Sequence, residues 1–180
     1  MPGGEVLALL ADQRGSLWIG TQEGLCRMSL STGQVKRYPL YGVSKQRINS
    51  LCLASDGKLY AGTIRGLAVL DTAADTMTVF TDRNATGDVP MPRSTNVQDV
   101  IELPSSDILL VTWGTGLYRY APQQHRFYHY GPTTIPGASP PGLPSAAVPA
   151  LSSAVIPDTV YAGFGLLRLQ TESLHRDRRG

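Results

Sequence analysis

The stretch Leu17-Trp18-Ile19-Gly20-Thr21-Gln22-Glu23-Gly24-Leu25 decides the fold, because it comes back. It returns 42 residues later as Leu59-Tyr60-Ala61-Gly62-Thr63-Ile64-Arg65-Gly66-Leu67. A degraded copy follows at an offset of 50, as Leu109-Leu110-Val111-Thr112-Trp113-Gly114-Thr115-Gly116-Leu117. The fourth copy, Val160-Tyr161-Ala162-Gly163-Phe164-Gly165-Leu166, is two residues shorter in its turn. The segments ahead of the copies align as well: Val6, Ile48, Val97 and Val148 open them, and Ala8, Ser50, Asp99 and Ala150 share the column two places on. Four copies in register make this a repeat architecture.

Each unit reads as four short strands. In the first, Val6–Ala11 runs into a polar turn at 12–15, and Leu17–Thr21 has the β-branched and aromatic composition of a strand. A tight Gln22-Glu23-Gly24 turn leads to a third strand from Leu25, and Ser31-Thr32-Gly33 turns that into a fourth, Gln34–Tyr38. No sustained 3.6-residue apolar period is present, so helices are expected to be nearly absent. Units of this length holding four antiparallel strands are the size of β-propeller blades. The expected fold is all-β, about four four-stranded antiparallel blades at residues 6–38, 48–80, 97–130 and 148–176, joined by long loops at 81–96 and 131–146. Four blades is the lower limit for a closed ring, and only five residues precede Val6, too few to lend a closing strand. The expectation is therefore an open arc, or part of a larger, seven-bladed propeller, with apolar faces at its ends through which copies self-associate.

Composition agrees and excludes several functions. Charged residues make up 17% of the 180-residue chain, against about a quarter usually, as strands covered on both faces require. The 19 glycines and 13 prolines are turn chemistry repeated unit by unit. A net charge of +2 gives no case for nucleic acid as an obligatory partner. The early apolar run Val6–Ala11 is far short of the roughly 20 residues of a membrane helix, and the N-terminus shows no signal-peptide pattern. No membrane insertion is expected, and a complete chain of this kind would be cytoplasmic.

The pattern Asp12-x-x-Gly15-x-Leu17-Trp18-Ile19-Gly20-Thr21-x-x-Gly24-Leu25 resembles the two-component regulator propeller repeat. The first copy matches almost position for position, the second nearly so, and the likeness runs from Val6 to about Leu174. That resemblance implies the extracytoplasmic, periplasmic sensor part of a hybrid two-component histidine kinase, built of tandem propellers that bind carbohydrate fragments. Kinase motifs and a membrane span, which the resemblance also implies, are missing from these 180 residues, so the segment is expected to be non-catalytic by itself.

Candidate chemistry thins out on inspection. Trp18, Tyr60, Leu110 and Tyr161 share one repeat position and are expected to fill the gap between blades. Asp12, Asp56, Asp107 and Asp158 fall at the first turn of each unit and read as turn-formers. His125 and His129 mimic a metal pair, but on a strand they stand about 13 Å apart, too far for one zinc. Cys26 and Cys52 lie on different blades and read as free thiols. No metal, cofactor, nucleophile elbow or acid/base pair is expected.

The functional reading is geometric. In four-stranded antiparallel blades, the second-to-third turns and the inter-blade connections emerge on one face, where propeller loops converge on ligands. That face collects Glu23, Arg65, Arg47 and Arg83, with Trp113 standing where the repeat has Thr21 and Thr63, and Asp99 in the inner column. An indole there can stack on a sugar ring and the arginines can pair with acidic groups, so an oligosaccharide or other small ligand is the expected partner. The alternatives are a protein–protein interaction scaffold and a propeller lyase or glycoside hydrolase.

Overall fold

The structure, a computed structural model, describes residues 4–40, 47–81, 96–113 and 115–130, and the strand backbone at 151–153, 159–163 and 166–170. Three four-stranded antiparallel sheets and one three-stranded sheet lie among these residues. The first blade holds β1 (Val6–Ala11), β2 (Ser16–Thr21), β3 (Gly24–Ser29) and β4 (Val35–Tyr38). The second holds β5 (Ile48–Leu53), β6 (Lys58–Thr63), β7 (Gly66–Asp71) and β8 (Thr76–Phe80). The third holds β9 (Val97–Glu102), β10 (Ile108–Thr112), β11 (Gly116–Ala121) and β12 (Arg126–Tyr130), with a short 3₁₀ turn at Pro122–Gln124. In the last sheet β13 (Leu151–Ser153), β14 (Thr159–Gly163) and β15 (Leu166–Gln170) run in the same up-and-down order. The inner strands β1, β5, β9 and β13 neighbour one another in sequence order. The chain is an open run of propeller blades. The inter-blade loops 82–95 and 131–146 lie outside the described residues.

Strand register corrects the repeat alignment at the third copy. Thr21 faces Gly24, Thr63 faces Gly66, and Thr112 faces Gly116. On the inner side the same threonines face Val6, Ile48 and Val97. The spacing from the second blade to the third is thus 49, from Thr63 to Thr112, and the turn after Thr112 is one residue longer. Sequence matching placed that extra residue before the turn and so shifted Leu110 and Trp113 by one position. Leu109, opposite Arg119, holds the aromatic column of Trp18 and Tyr60. Leu110 points to the other side, into the core shared with the second blade.

Each complete blade also carries the same irregularity. The ladder between the first two strands slips by one residue at Val6/Ala8, Ile48/Ser50 and Val97/Asp99, a β-bulge. The repeat's glycine explains itself beside it. A Cβ on Gly20 would meet Ile48 Cγ2 at 2.6 Å, and one on Gly62 would meet Val97 Cγ1 at 2.9 Å. The bare backbone lets the next blade's first inner residue seat itself, and Ile48 and Val97 are wholly buried there.

The core lies in the seams between blades. Trp18, Leu25, Tyr38 and Leu10 pack against Leu51, Leu59, Ala61, Ala68 and Leu70 across the first seam. Tyr60, Leu67, Val69 and Phe80 pack against Val100, Leu110, Tyr118, Tyr120 and Phe127 across the second. There Tyr120 lies 4.6 Å from Phe127 and 5.2 Å from Phe80, centroid to centroid. Polar links cross both seams. Lys36 and Tyr38 of β4 bond to Asp75 in the β7–β8 turn, at the outer edge of the first seam. Asn49 and Ser55 cross the second seam at its inner edge, to Asn96 and Glu102.

Candidate functional site

The β2–β3, β6–β7 and β10–β11 turns share one end of the blades with the start of each inner strand, and form its upper rim. A buried threonine builds each turn. Thr21 Oγ1 donates to Gly24 O at 3.1 Å and accepts from Glu23 N–H at 3.0 Å. Thr63 repeats both bonds, to Gly66 O and from Arg65 N–H, at 3.0 Å. Thr112 donates to Gly116 O at 2.7 Å and bonds the Thr115 hydroxyl at 2.6 Å. These bonds fix the backbone so that the side chains of Glu23 and Arg65 stand exposed on adjacent blades.

Trp113 is therefore not a replacement for the repeat's threonine, whose place Thr112 keeps. It is the first residue of the lengthened turn, with 57% of its surface exposed. Its N–H donates to Asn96 O at 2.8 Å. The side chain of Asn96 continues the network, since its Oδ1 accepts from Asn49 Nδ2 at 2.9 Å. Asn49 Nδ2 also donates to Val97 O at 2.7 Å, and Asn49 Oδ1 accepts from Arg47 Nε at 3.0 Å. Arg47 of the second blade and Trp113 of the third, both selected from sequence, are thus joined through two asparagines that were not. Asn49 stands at the bulge, where the first blade has Leu7 and the third Gln98. That column carries Leu, Asn and Gln in the three blades, so no repeat signal marked it.

The other candidates are placed apart from this pair. Asp99 is half-buried on β9, its Oδ1 accepting from Val100 N–H at 2.9 Å. Glu23 lines a cavity of about 280 Å³ with Cys26, Arg37, Tyr38 and Pro39. Arg83 lies outside the described residues. His125 is not on a strand, as expected from sequence, but closes the 3₁₀ turn with a left-handed φ of 50°. His129 sits within β12, stacked on Tyr118 and bonded to Thr115 O at 2.6 Å. Among the described residues no group of His, Cys, Asp and Glu is arranged to hold a metal. Both cysteines are free, and burial pushes the Cys52 thiol up to about 11, so it carries no thiolate at neutral pH.

The rim, then, is a set of exposed cationic, acidic and aromatic groups on turns built alike. A family model described as two component regulator propeller matches residues 1–23, the β1–β2 hairpin and the start of the first such turn. Over that hairpin the chain is similar to the two-component regulator propeller repeat. Solved structures carrying similar blades include the extracellular domain of a putative hybrid two component system from B. thetaiotaomicron, at 19% identity and a TM-score of 0.71 over 91% of this chain. The extracellular domain of a putative one component system from the same organism matches at 16% identity and a TM-score of 0.73 over 94%. The chain spans 22% of the length of each of those two chains. Virginiamycin B lyase from Staphylococcus aureus has similar blades at 14% identity and a TM-score of 0.68, with 90% of this chain and 50% of that one covered. No curated protein matches in sequence. No helix among the described residues is long and apolar enough to cross a membrane.

Proposed function

We propose that this segment is the ligand-reading part of a two-component sensor on the extracytoplasmic side, and that it recognises an oligosaccharide at the upper rim. One observation carries the reading: an indole with more than half its surface exposed is held by its own backbone to Asn96, whose side chain is linked through Asn49 to Arg47. A flat aromatic face on a rim that also carries amides and a guanidinium suits a sugar ring, which offers C–H groups on one face and hydroxyls at its edge. The regulator-propeller repeat and the two B. thetaiotaomicron neighbours support the sensor context. Binding would act by favouring one packing of blades or protomers over another.

The test is a glycan array followed by calorimetry on the strongest hit, with Trp113→Ala and Arg65→Ala. At least a tenfold loss of affinity in Trp113→Ala, equal to about 1.4 kcal/mol, is expected. Arg65→Ala is expected to weaken acidic glycans more than neutral ones. Unchanged affinity in both variants would remove the rim from consideration, and a protein partner captured through the same residues would favour a scaffold.

A further inference from the structure

A cavity lies at the other end of the blades from the rim. It occupies about 520 Å³ between the β1–β2 turn of the first blade and the β5–β6 turn of the second. Leu10, Ala11, Leu53 and Ala54 form its apolar wall.

Arg27 and Arg14 also line this cavity. Arg27, opposite Trp18, occupies the same blade position as Arg119, opposite Leu109. Arg119 is buried and neutralised by Asp107 at 2.9 Å. In the first blade the position of Asp107 is held by Ser16, and Arg27 Nε donates to its hydroxyl at 2.8 Å. The guanidinium lies 5.3 Å from the Trp18 ring centroid, which fixes its plane. Among the described residues no carboxylate is within ion-pair distance of Arg27 or Arg14. Asp12 and Asp75 attract Arg27 only from beyond ion-pair distance, and the hydrogen bonds of the two acids on the cavity wall go to other groups. Asp12 accepts from Arg14 N–H, Ser16 N–H and the Trp18 indole N–H, and Glu102 accepts from Ser55.

We propose that this cleft is a second binding site, for a small organic carboxylate whose apolar or ring-shaped body rests on Leu10, Ala11, Leu53 and Ala54. Arg27 has no carboxylate in direct contact, and a bound carboxylate would supply to it the direct ion pair that Asp107 supplies to Arg119. Arg14, exposed at the cavity's edge, adds a second donor fork.

Calorimetry with benzoate and glucuronate, against benzyl alcohol and glucose at matched ionic strength, tests it. At least one carboxylate is expected to saturate, with its neutral counterpart at least tenfold weaker. Arg27→Gln should lower that affinity at least tenfold, and Ala11→Leu, which enlarges an exposed residue of the cavity wall, should do the same with the far-ultraviolet spectrum unchanged. Trp113→Ala should leave this binding intact, which separates it from the rim. Absence of saturation by both carboxylates, or parental affinity in either Arg27→Gln or the leucine variant, would overturn the proposal.

Discussion

Thr63 shows how much one hydroxyl organises. It is fully buried, donates to Gly66 O and accepts from Arg65 N–H, so its loss strands a buried carbonyl and an amide together. Thr63→Val should cost about 1–3 kcal/mol. In thermal unfolding that is a fall of about 2–4 °C per kcal/mol for a chain of this length. Asp12 makes a pH-dependent contribution. Desolvation opposes its charge, but the N–H groups of Ser16, the Trp18 indole and Arg14 outweigh it and hold the carboxyl below its ordinary 3.8. A depressed folded-state pKa gives stability that is present above the unfolded value and is lost as pH falls towards the folded one. Asp12→Asn should therefore be less stable than the parent at pH 7, and chemical denaturation should show the gap narrowing below about pH 4. The glycine and threonine of the Trp18-Ile19-Gly20-Thr21 motif were visible as letters in the sequence. Their reasons were not, because Gly20 answers to Ile48 in another blade.

At the scale of elements, strand order and hairpin turns were legible because each strand is bounded by turn residues and the pattern repeats. β1 and β5 begin at the aligned residues Val6 and Ile48. The third blade was misread by one position, since a longer turn and a missing aromatic leave two alignments of nearly equal quality. Only the pairing of Thr112 with Gly116 separates them. Bulges were illegible: Leu7, Asn49 and Gln98 share no side-chain chemistry, and the slip is a property of backbone pairing. The Asn49–Asn96 link was hidden for the same reason, as it joins two elements 47 residues apart. Asn49→Leu, which installs the first blade's residue, should leave the sheets intact but loosen the β10–β11 turn. Hydrogen exchange at the Trp113 amide, which donates to Asn96 O, should speed up at least tenfold, while the amides of β6 keep their rates.

Over the whole molecule, protection should follow how many neighbours a blade has. The second blade is covered on both faces, and Leu59, Ala61, Leu67 and Leu70 are at most 1% exposed. The β4 strand presents Val35, Lys36 and Arg37 to solvent. Native-state hydrogen exchange should be slowest in β6 and β7 and at least a hundredfold faster in β4, the graded pattern of a nearest-neighbour array. Uniform protection across the three complete blades would contradict it. The two seams are also fastened on opposite sides. Asp75 ties the first along its outer margin, beside an inner end left hollow, whereas Asn49 and Glu102 tie the second along its inner margin, around an aromatic stack. In mechanical terms the first seam is a book bound at its spine, able to part its pages at the centre of the arc, and the second is a clasp. A load on the array would find its compliance in the first seam, and the arc would flex there while the second and third blades travel as one rigid leaf.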